Sequence, residues 1–248
     1  MGPKLKKKNK QHKAFAYGMP TSIGMDGATT YGLADDLIPS LAGSDMTWSC
    51  WVKIPVPPAN PGAILRALIS NTNAAAATRN MLIMNQGIAA YRADGSTWGF
   101  GTYNEAAEVS ETIIEDGAWH NIIQTYNTVS TDLILYVDGA VEASRAISKT
   151  MVGTDLLQIG RWPAGSYYID AQFGNIAFFD RDVSATEAAW IASDAGANLN
   201  AMPAGGPIHF YCPGNGDDGI IPVCIDRGTG KTNITWVNSV PADVEAGL

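Results

Sequence analysis

Leu133-Ile134-Leu135-Tyr136-Val137-Asp138-Gly139-Ala140-Val141-Glu142-Ala143 is two apolar runs joined by an Asp-Gly pair. A two-residue hairpin turn needs positive φ at its centre, which Asp tolerates and Gly adopts freely. The stretch therefore predicts two antiparallel strands closed by a tight turn at Asp138-Gly139. Working outward, Trp119 to Tyr126 reads as a strand before the hairpin, and Leu156 to Ile159 as one after it. A longer segment from Tyr167 to Phe179 alternates and is expected to put Phe173, Asn175, Ala177 and Phe179 on one face. Upstream, Met46 to Ile54 also alternates. Trp48, Cys50, Val52 and Ile54 share one face and Lys53 lies on the other, until Pro55 and the Pro57–Gly62 stretch end the run. Asn80 to Asn85, Gly87 to Arg92 and Thr97 to Tyr103 read as three further short strands.

One helix is predicted. Ser184-Ala185-Thr186-Glu187 has the spacing of a capping box, with Ser184 accepting from the Glu187 amide and Glu187 reaching back. Ala188 to Ala192 continue it, and Gly196 is the expected stop. A Gly/Pro-rich link, Met202 to Pro207, leads into a C-terminal segment of strand and turn residues. No internal repeat is visible. The expectation is an all-β antiparallel sandwich with one short helix: a basic arm over residues 1–20, the body over 21–201, and an extension over 202–248 packed on the sandwich.

Composition supports this. Of 248 residues 46% are hydrophobic and only 16% charged, enough apolar material for a sizeable core. The 26 glycines, 13 prolines, seven tryptophans and nine tyrosines suit short strands joined by tight turns. Charge is unevenly spread. Six of the 16 basic residues (Lys4, Lys6, Lys7, Lys8, Lys10 and Lys13) crowd the first 13 positions, so the remaining ten face 24 acids. Such a body lacks the basic patch of a nucleic-acid binder, and any polyanion contact falls to the arm. The segment after the arm, Ala14 to Pro20, is too short and broken for the apolar region of a signal peptide, and no apolar run reaches membrane-spanning length. The three cysteines, Cys50, Cys212 and Cys224, lack metal-ligand spacing, and Cys50 reads as a small core hydrophobe.

Several motifs, in order, resemble the laminin-G/pentraxin-like branch of the concanavalin A-like jelly rolls. Met25-Asp26-Gly27-Ala28-Thr29-Thr30-Tyr31 looks like that family's opening "DGxxDY" strand, and Met46 to Lys53 its "fTvsaWVK" strand. Asp116-Gly117-Ala118-Trp119-His120 resembles "DGxWHh", and Leu135 to Gly139 "LYVDG". Gln158-Ile159-Gly160 is similar to "xIG", Tyr168-Ile169-Asp170 to "gyIDevriyn", and Asp180 to Glu187 to "nraLSaeEi". The ordered series covers roughly Met25 to Ala192. The resemblance implies a jelly roll in which Trp119 fills the core and His120, Tyr136 and Asp138 are framework. A looser likeness joins His209 to Asn238, with Gly216-Asp217-Asp218 and Ile225 to Asn233, to the tail of such domains in bacteriophage virion proteins. Arg227 and Thr229 depart from that pattern.

Chemical motifs are few. Gly228-Thr229-Gly230-Lys231-Thr232 ends like a phosphate-binding loop, but Ile225 stands where the first glycine belongs, so it reads as a turn. Glu108, Glu111 and Glu115 lack the E-x-D-x-x-E spacing of glucanases on this fold, and Asp170 and Asp180 are too far apart along one strand to work as a pair. Three histidines without H-E-x-x-H, and no Gly-x-Ser-x-Gly, offer no protease or esterase signature. No enzyme is expected. Calcium is the metal the resemblance implies, with Asp26 and Asp170 at the family's positions. Thr30 and Ala171 replace the neighbouring acids, so the two aspartates read as turn-capping or solvated and no cofactor is assigned. Loop aromatics suited to a sugar's apolar face are Trp98, Tyr103, Trp162 and Tyr167, with Tyr168 beside them.

These readings combine into a non-enzymatic virion protein made in the host cytoplasm, a capsid decoration or other surface part with glycan binding. A receptor-binding adhesin, and a carbohydrate-binding module or hydrolase of the same fold, are the alternatives. Its expected partners are neighbouring virion proteins, host-surface glycans and copies of itself. The lysine arm is expected to dock in an acidic groove on a neighbour, with packaged DNA second.

Overall fold

The structure, a computed structural model, describes residues 22–29, 31–34, 44–56, 65–71, 79–85, 88–94, 108–146, 157–162, 167–193, 199–211, 223–224, 234–237 and 244–245. The first strands are β1 (Ser22–Asp26), β2 (Tyr31–Ala34), β3 (Met46–Lys53), β4 (Leu65–Asn71), β5 (Arg79–Asn85), β6 (Ile88–Asp94) and β7 (Glu108–Ile113). Then come β8 (Trp119–Tyr126), β9 (Asp132–Val137), β10 (Ala140–Ala146), β11 (Leu157–Ile159), β12 (Arg161–Trp162), β13 (Tyr167–Tyr168) and β14 (Asp170–Phe179). The helix α1 (Ala185–Ile191) follows, and after it β15 (His209–Tyr211), β16 (Val223–Cys224), β17 (Ile234–Val237) and β18 (Val244–Glu245). The strand expected over Thr97–Tyr103, the helix stop at Gly196 and the lysine arm lie outside the described residues, whereas β4 and β7 were not foreseen.

Two antiparallel sheets form the sandwich. One runs β10-β9-β8-β3-β14-β1-β18, with β15 sharing the β1 side of β14. The other runs β16-β17-β2-β11-β4-β5-β6-β7. The all-β antiparallel expectation holds, and strands from beyond residue 202 join both sheets. Between the sheets Trp48, Cys50, Val52 and Ile54 of β3 and its end meet Leu68, Leu157, Ile159 and Ile234 from the opposite sheet. This face of β3 is the one its alternation predicts. Trp48 packs edge-on against Phe178 with ring centroids 6.2 Å apart, a favoured aromatic geometry. At one side of the sandwich the two edge strands are tied, where Thr112 Oγ1 of β7 donates to Glu142 Oε1 of β10 at 2.8 Å. That bridge occupies edges otherwise open to pairing.

The other face of β3 is buried too, since Thr47 and Ser49 are almost wholly shielded. A second apolar cluster lies on that side, built from Ile123, Tyr136, Ala177, Phe179, Val183, Ala188, Ile191 and Phe210. Helix α1 and the Leu199–Phe210 segment thus form a third layer, and their shielded polar neighbours hydrogen-bond to one another. Thr47 Oγ1 lies 2.8 Å from Thr125 Oγ1 and donates to the Arg181 carbonyl at 2.8 Å. The Met202–Pro207 link is fastened by Arg181, whose guanidinium donates to the Gly205 carbonyl at 3.1 Å and pairs with Glu187 at 2.6 Å.

Two expectations about facing are corrected. The register between β14 and β3 shifts between Gly174 and Ile176, a bulge. One extra residue in a strand moves every later side chain to the opposite face. Phe173 therefore lies with Ile176 and Phe178 in the inter-sheet core, whereas Ala177 and Phe179 lie beneath α1. Trp119 does not fill the core. It pairs with Lys53, stands half-buried outside both clusters, and leaves the core-facing row of β8 to His120, Ile122, Gln124 and Tyr126. The long segment is also broken, because Ile169 separates β13 from β14.

The Asp138-Gly139 turn forms as predicted, with φ of 52° and 76°. Gly139 is required twice over: a Cβ there would lie 2.8 Å from Ala189 Cα of α1. The capping box is complete. Ser184 Oγ accepts the Glu187 amide at 3.3 Å, and Glu187 Oε2 accepts the Ser184 amide at 2.7 Å.

Candidate functional site

The site grows from a kink. After β11, Gly160 takes φ +77°, which favours glycine, and its amide donates to the Leu68 carbonyl at 2.8 Å. Its own carbonyl accepts the Ile169 amide at 3.0 Å. These bonds swing the chain out of the main sheet into the two-stranded pair of β12 and β13, in which Arg161 faces Tyr168 and Trp162 faces Tyr167. Ser70 Oγ, wholly buried, donates to the Arg161 carbonyl at 2.7 Å and pins the base of the hairpin to β4.

At that corner three half-buried side chains meet. The Arg161 guanidinium carbon lies 4.4 Å from the centroid of the Tyr31 ring and 5.1 Å from that of Tyr168. The rings are 6.2 Å apart and tilted by 57°, a wedge with the cation in its mouth. Cation–π attraction offsets part of the cost of holding the guanidinium there. Among the described residues its buried Nε has no hydrogen-bond partner. Rings with an apolar face and a polar tip, next to a planar donor, can stack on a sugar and hydrogen-bond its oxygens.

Of the residues expected to bind sugars, Trp162 and Tyr167 are brought together as register partners in this hairpin. Trp98 and Tyr103 lie outside the described residues. Tyr31 and Arg161 were missed as site residues, and Tyr31 was visible only as the end of an opening motif. Arg161 carried one signal. The order Arg161-Trp162, a four-residue loop, then Tyr167-Tyr168 is that of a short hairpin, which sets Arg161 opposite Tyr168.

Asp26 and Asp170, the aspartates at the implied calcium positions, are paired across β1 and β14. The residues do not fit the ion. Asp26 Oδ1 already accepts the amides of Ala28 and Thr29 at 2.9 and 2.7 Å, and Oδ2 accepts the Thr29 hydroxyl at 2.6 Å. A carboxylate engaged this way caps a turn, and hard cations need several free oxygens. Among the described residues no three His, Cys, Asp or Glu side chains gather as a metal site.

His120 belongs to the framework. Its ring is fully buried, with Nδ1 2.9 Å from Asp138 Oδ2 and Nε2 3.1 Å from Asp116 Oδ1. Burial pulls its pKa down, but the hydrogen bonds and charges of Asp138 and then Asp116 outweigh it, so the value stands above the ordinary 6.5. The Cys50 thiol is pushed up to about 12 by burial and is a core hydrophobe, as expected. Cys212 lies outside the described residues. Among the described residues no helix is long and apolar enough to cross a membrane.

Comparison with known proteins agrees with this fold. No curated protein matches the sequence. Among solved structures, a Bacteroides ovatus protein provisionally assigned to carbohydrate binding superposes with a TM-score of 0.60 at 11% identity over 93% of this chain. The chain spans 60% of that protein's length. The heptameric SAP-like pentraxin of Limulus polyphemus matches with a TM-score of 0.53 at 11% identity, over 72% of this chain and 84% of its own. The CBM40 module of Ruminococcus gnavus IT-sialidase, solved with α2,3-sialyllactose, gives 0.53 at 11% identity, over 71% of this chain and all of that one. At such identities the likeness is one of fold, a jelly roll shared with carbohydrate-binding modules. The family model described as concanavalin A-like lectin/glucanases matches residues 26–189, two thirds of the sequence and the span that builds both sheets around the wedge. The chain belongs to the concanavalin A-like lectin/glucanase superfamily.

Proposed function

We propose that this protein is a non-enzymatic binding protein of the lectin type that holds a saccharide against Tyr31 and Tyr168. The observation that carries the reading is the wedge itself: two rings 6.2 Å apart, tilted by 57°, with a guanidinium between them. Two of the fold's relatives are named for carbohydrate binding, which supports the same reading. Screening the full chain on a glycan array tests it. Binding that Tyr168→Ala weakens roughly five- to tenfold is expected, since stacking of an aromatic ring contributes on the order of 1 kcal/mol. Absence of binding to every glycan would overturn it.

We further propose that the protein is carried on a bacteriophage particle, with the lysines from Lys4 to Lys13 as its docking arm. The support is sequence alone: the likeness of His209–Asn238 to virion-protein tails, and a basic arm on an acidic body. In this role the body presents its loops outward and the arm contacts an acidic groove on a neighbouring subunit, a contact that salt loosens. Self-association also fits, because virion parts are commonly symmetric. The purified protein should co-sediment with particles and lose this when residues 1–13 are deleted. Retention of the truncated protein would discard the arm's role.

A further inference from the structure

Among the described residues two arginines sit on aromatic rings, and their surroundings differ in one respect. Arg181 lies 5.4 Å from the Phe179 centroid, and both terminal nitrogens of its guanidinium are engaged. It pairs with Glu187 at 2.6 Å, donates to the carbonyls of Asp182 and Gly205, and touches Met202 Sδ. Arg161 is placed with equal care, between Tyr31 and Tyr168 and with its carbonyl held by Ser70. Yet among the described residues its guanidinium has no ion pair and no hydrogen bond, and its Nε is buried without a hydrogen-bond partner. Acids outnumber basic residues by 24 to 16 in this chain, and Asp170 stands only two residues beyond Tyr168. Among the described residues the fold nevertheless brings no carboxylate within ion-pair reach of Arg161.

A half-buried cation left without its counter-charge costs free energy that an anionic ligand recovers on binding. The guanidinium fork is the side chain best matched to a planar, two-oxygen anion. The flanking rings contribute apolar faces of the kind that stack on a pyranose. From this juxtaposition we infer that the Tyr31–Arg161–Tyr168 wedge selects acidic sugars, with the guanidinium taking the sugar's oxyanion and the rings its apolar face. A carboxylate suits the fork best, and a sulfate ester is the other source of the same chemistry. This inference rests on the lectin reading above and narrows it.

The test uses the full chain and four probe sets on one array: glucuronate- and sialate-terminated oligosaccharides, their carboxyl methyl esters, sulfated oligosaccharides, and neutral counterparts. Affinities of the hits are then measured by calorimetry. Carboxylated probes are expected to bind, and their methyl esters roughly ten- to a hundredfold more weakly, the scale of a lost charge-assisted hydrogen bond. Arg161→Lys keeps the charge but not the fork, and should lose the same factor while its melting temperature stays near that of the parent. The esters make the comparison on the unaltered protein, so it stands even if the variant misfolds. Binding of the sulfated set alone, abolished in Arg161→Lys, would support the oxyanion site and assign it to sulfate. If neutral and acidic probes bind alike and esterification changes nothing, the inference is overturned while the lectin reading survives. No binding to any probe removes both.

Discussion

Nδ1 of His120 lies 2.9 Å from Oδ2 of Asp138, and the other oxygen of that carboxylate accepts the Asn121 amide at 2.9 Å. One aspartate in a turn of positive φ thus ties the β9–β10 hairpin to the neighbouring strand β8. The imidazole sits at the end of the core-facing row, with Asp116 on its far side.

This arrangement makes stability depend on pH. The folded-state pKa of His120 is raised above 6.5, so the protonated ring stabilises the fold fully below that value. The contribution is lost as pH rises through the folded-state value. Thermal unfolding followed by circular dichroism from about pH 6 to about pH 9 should show the parent losing melting temperature relative to His120→Asn. Parallel curves would sink the assignment.

Gly139 and Gly205 separate strain from collision. Both have positive φ, but a Cβ at Gly205 meets nothing within 4 Å, whereas one at Gly139 lies 2.8 Å from Ala189 Cα. Alanine at either site should cost about 1 kcal/mol or more for the left-handed backbone. Gly139→Ala should cost distinctly more, because α1 must also move. Urea midpoints of the two variants decide this, and equal losses would mean that the helix does not press on the turn.

Ser184→Ala should lower stability by about 1 kcal/mol, the usual value of an N-cap. Glu187 supplies a pH signature. Its partial burial raises its pKa, but Ser184 and Arg181 lower it further, to a net value below 4.5. The stability it contributes is present above 4.5 and is lost as pH falls through the lowered folded value. The gap between the parent and Glu187→Gln in urea unfolding should therefore close in acid. A gap that persists unchanged would place the stabilisation elsewhere.

Cys50 should be inert in the native state, being fully buried with its thiol pKa raised to about 12. Iodoacetamide at about pH 8, followed by peptide mass mapping, should leave the Cys50 peptide unmodified until guanidinium is added, since the thiolate is the reactive form. Native-state labelling at that peptide would contradict its placement between the sheets.

Much of the sandwich was legible because its signals are local. The Asp138-Gly139 pair fixes a turn type through φ alone, and Ser184 with Glu187 announces a helix start within four residues. The alternation of Met46 to Ile54 identifies the core face of β3 without reference to any partner. Asp26 reads as a turn cap for the same reason, the amides that donate to it lying two and three residues onward.

What escaped depends on pairing between distant strands. The sequence by itself determined which segments extend, where they turn and where the one helix begins. Only the tertiary structure decided that β14 bulges at Gly174–Ile176 and sends Phe173 and Phe179 to opposite faces. It alone gave the core-facing row to His120 instead of Trp119. It also carried Tyr31 across 130 positions to Arg161 and 137 to Tyr168. Local periodicity carries no record of a bulge or of strand order, because both are set when whole sheets close over a shared core.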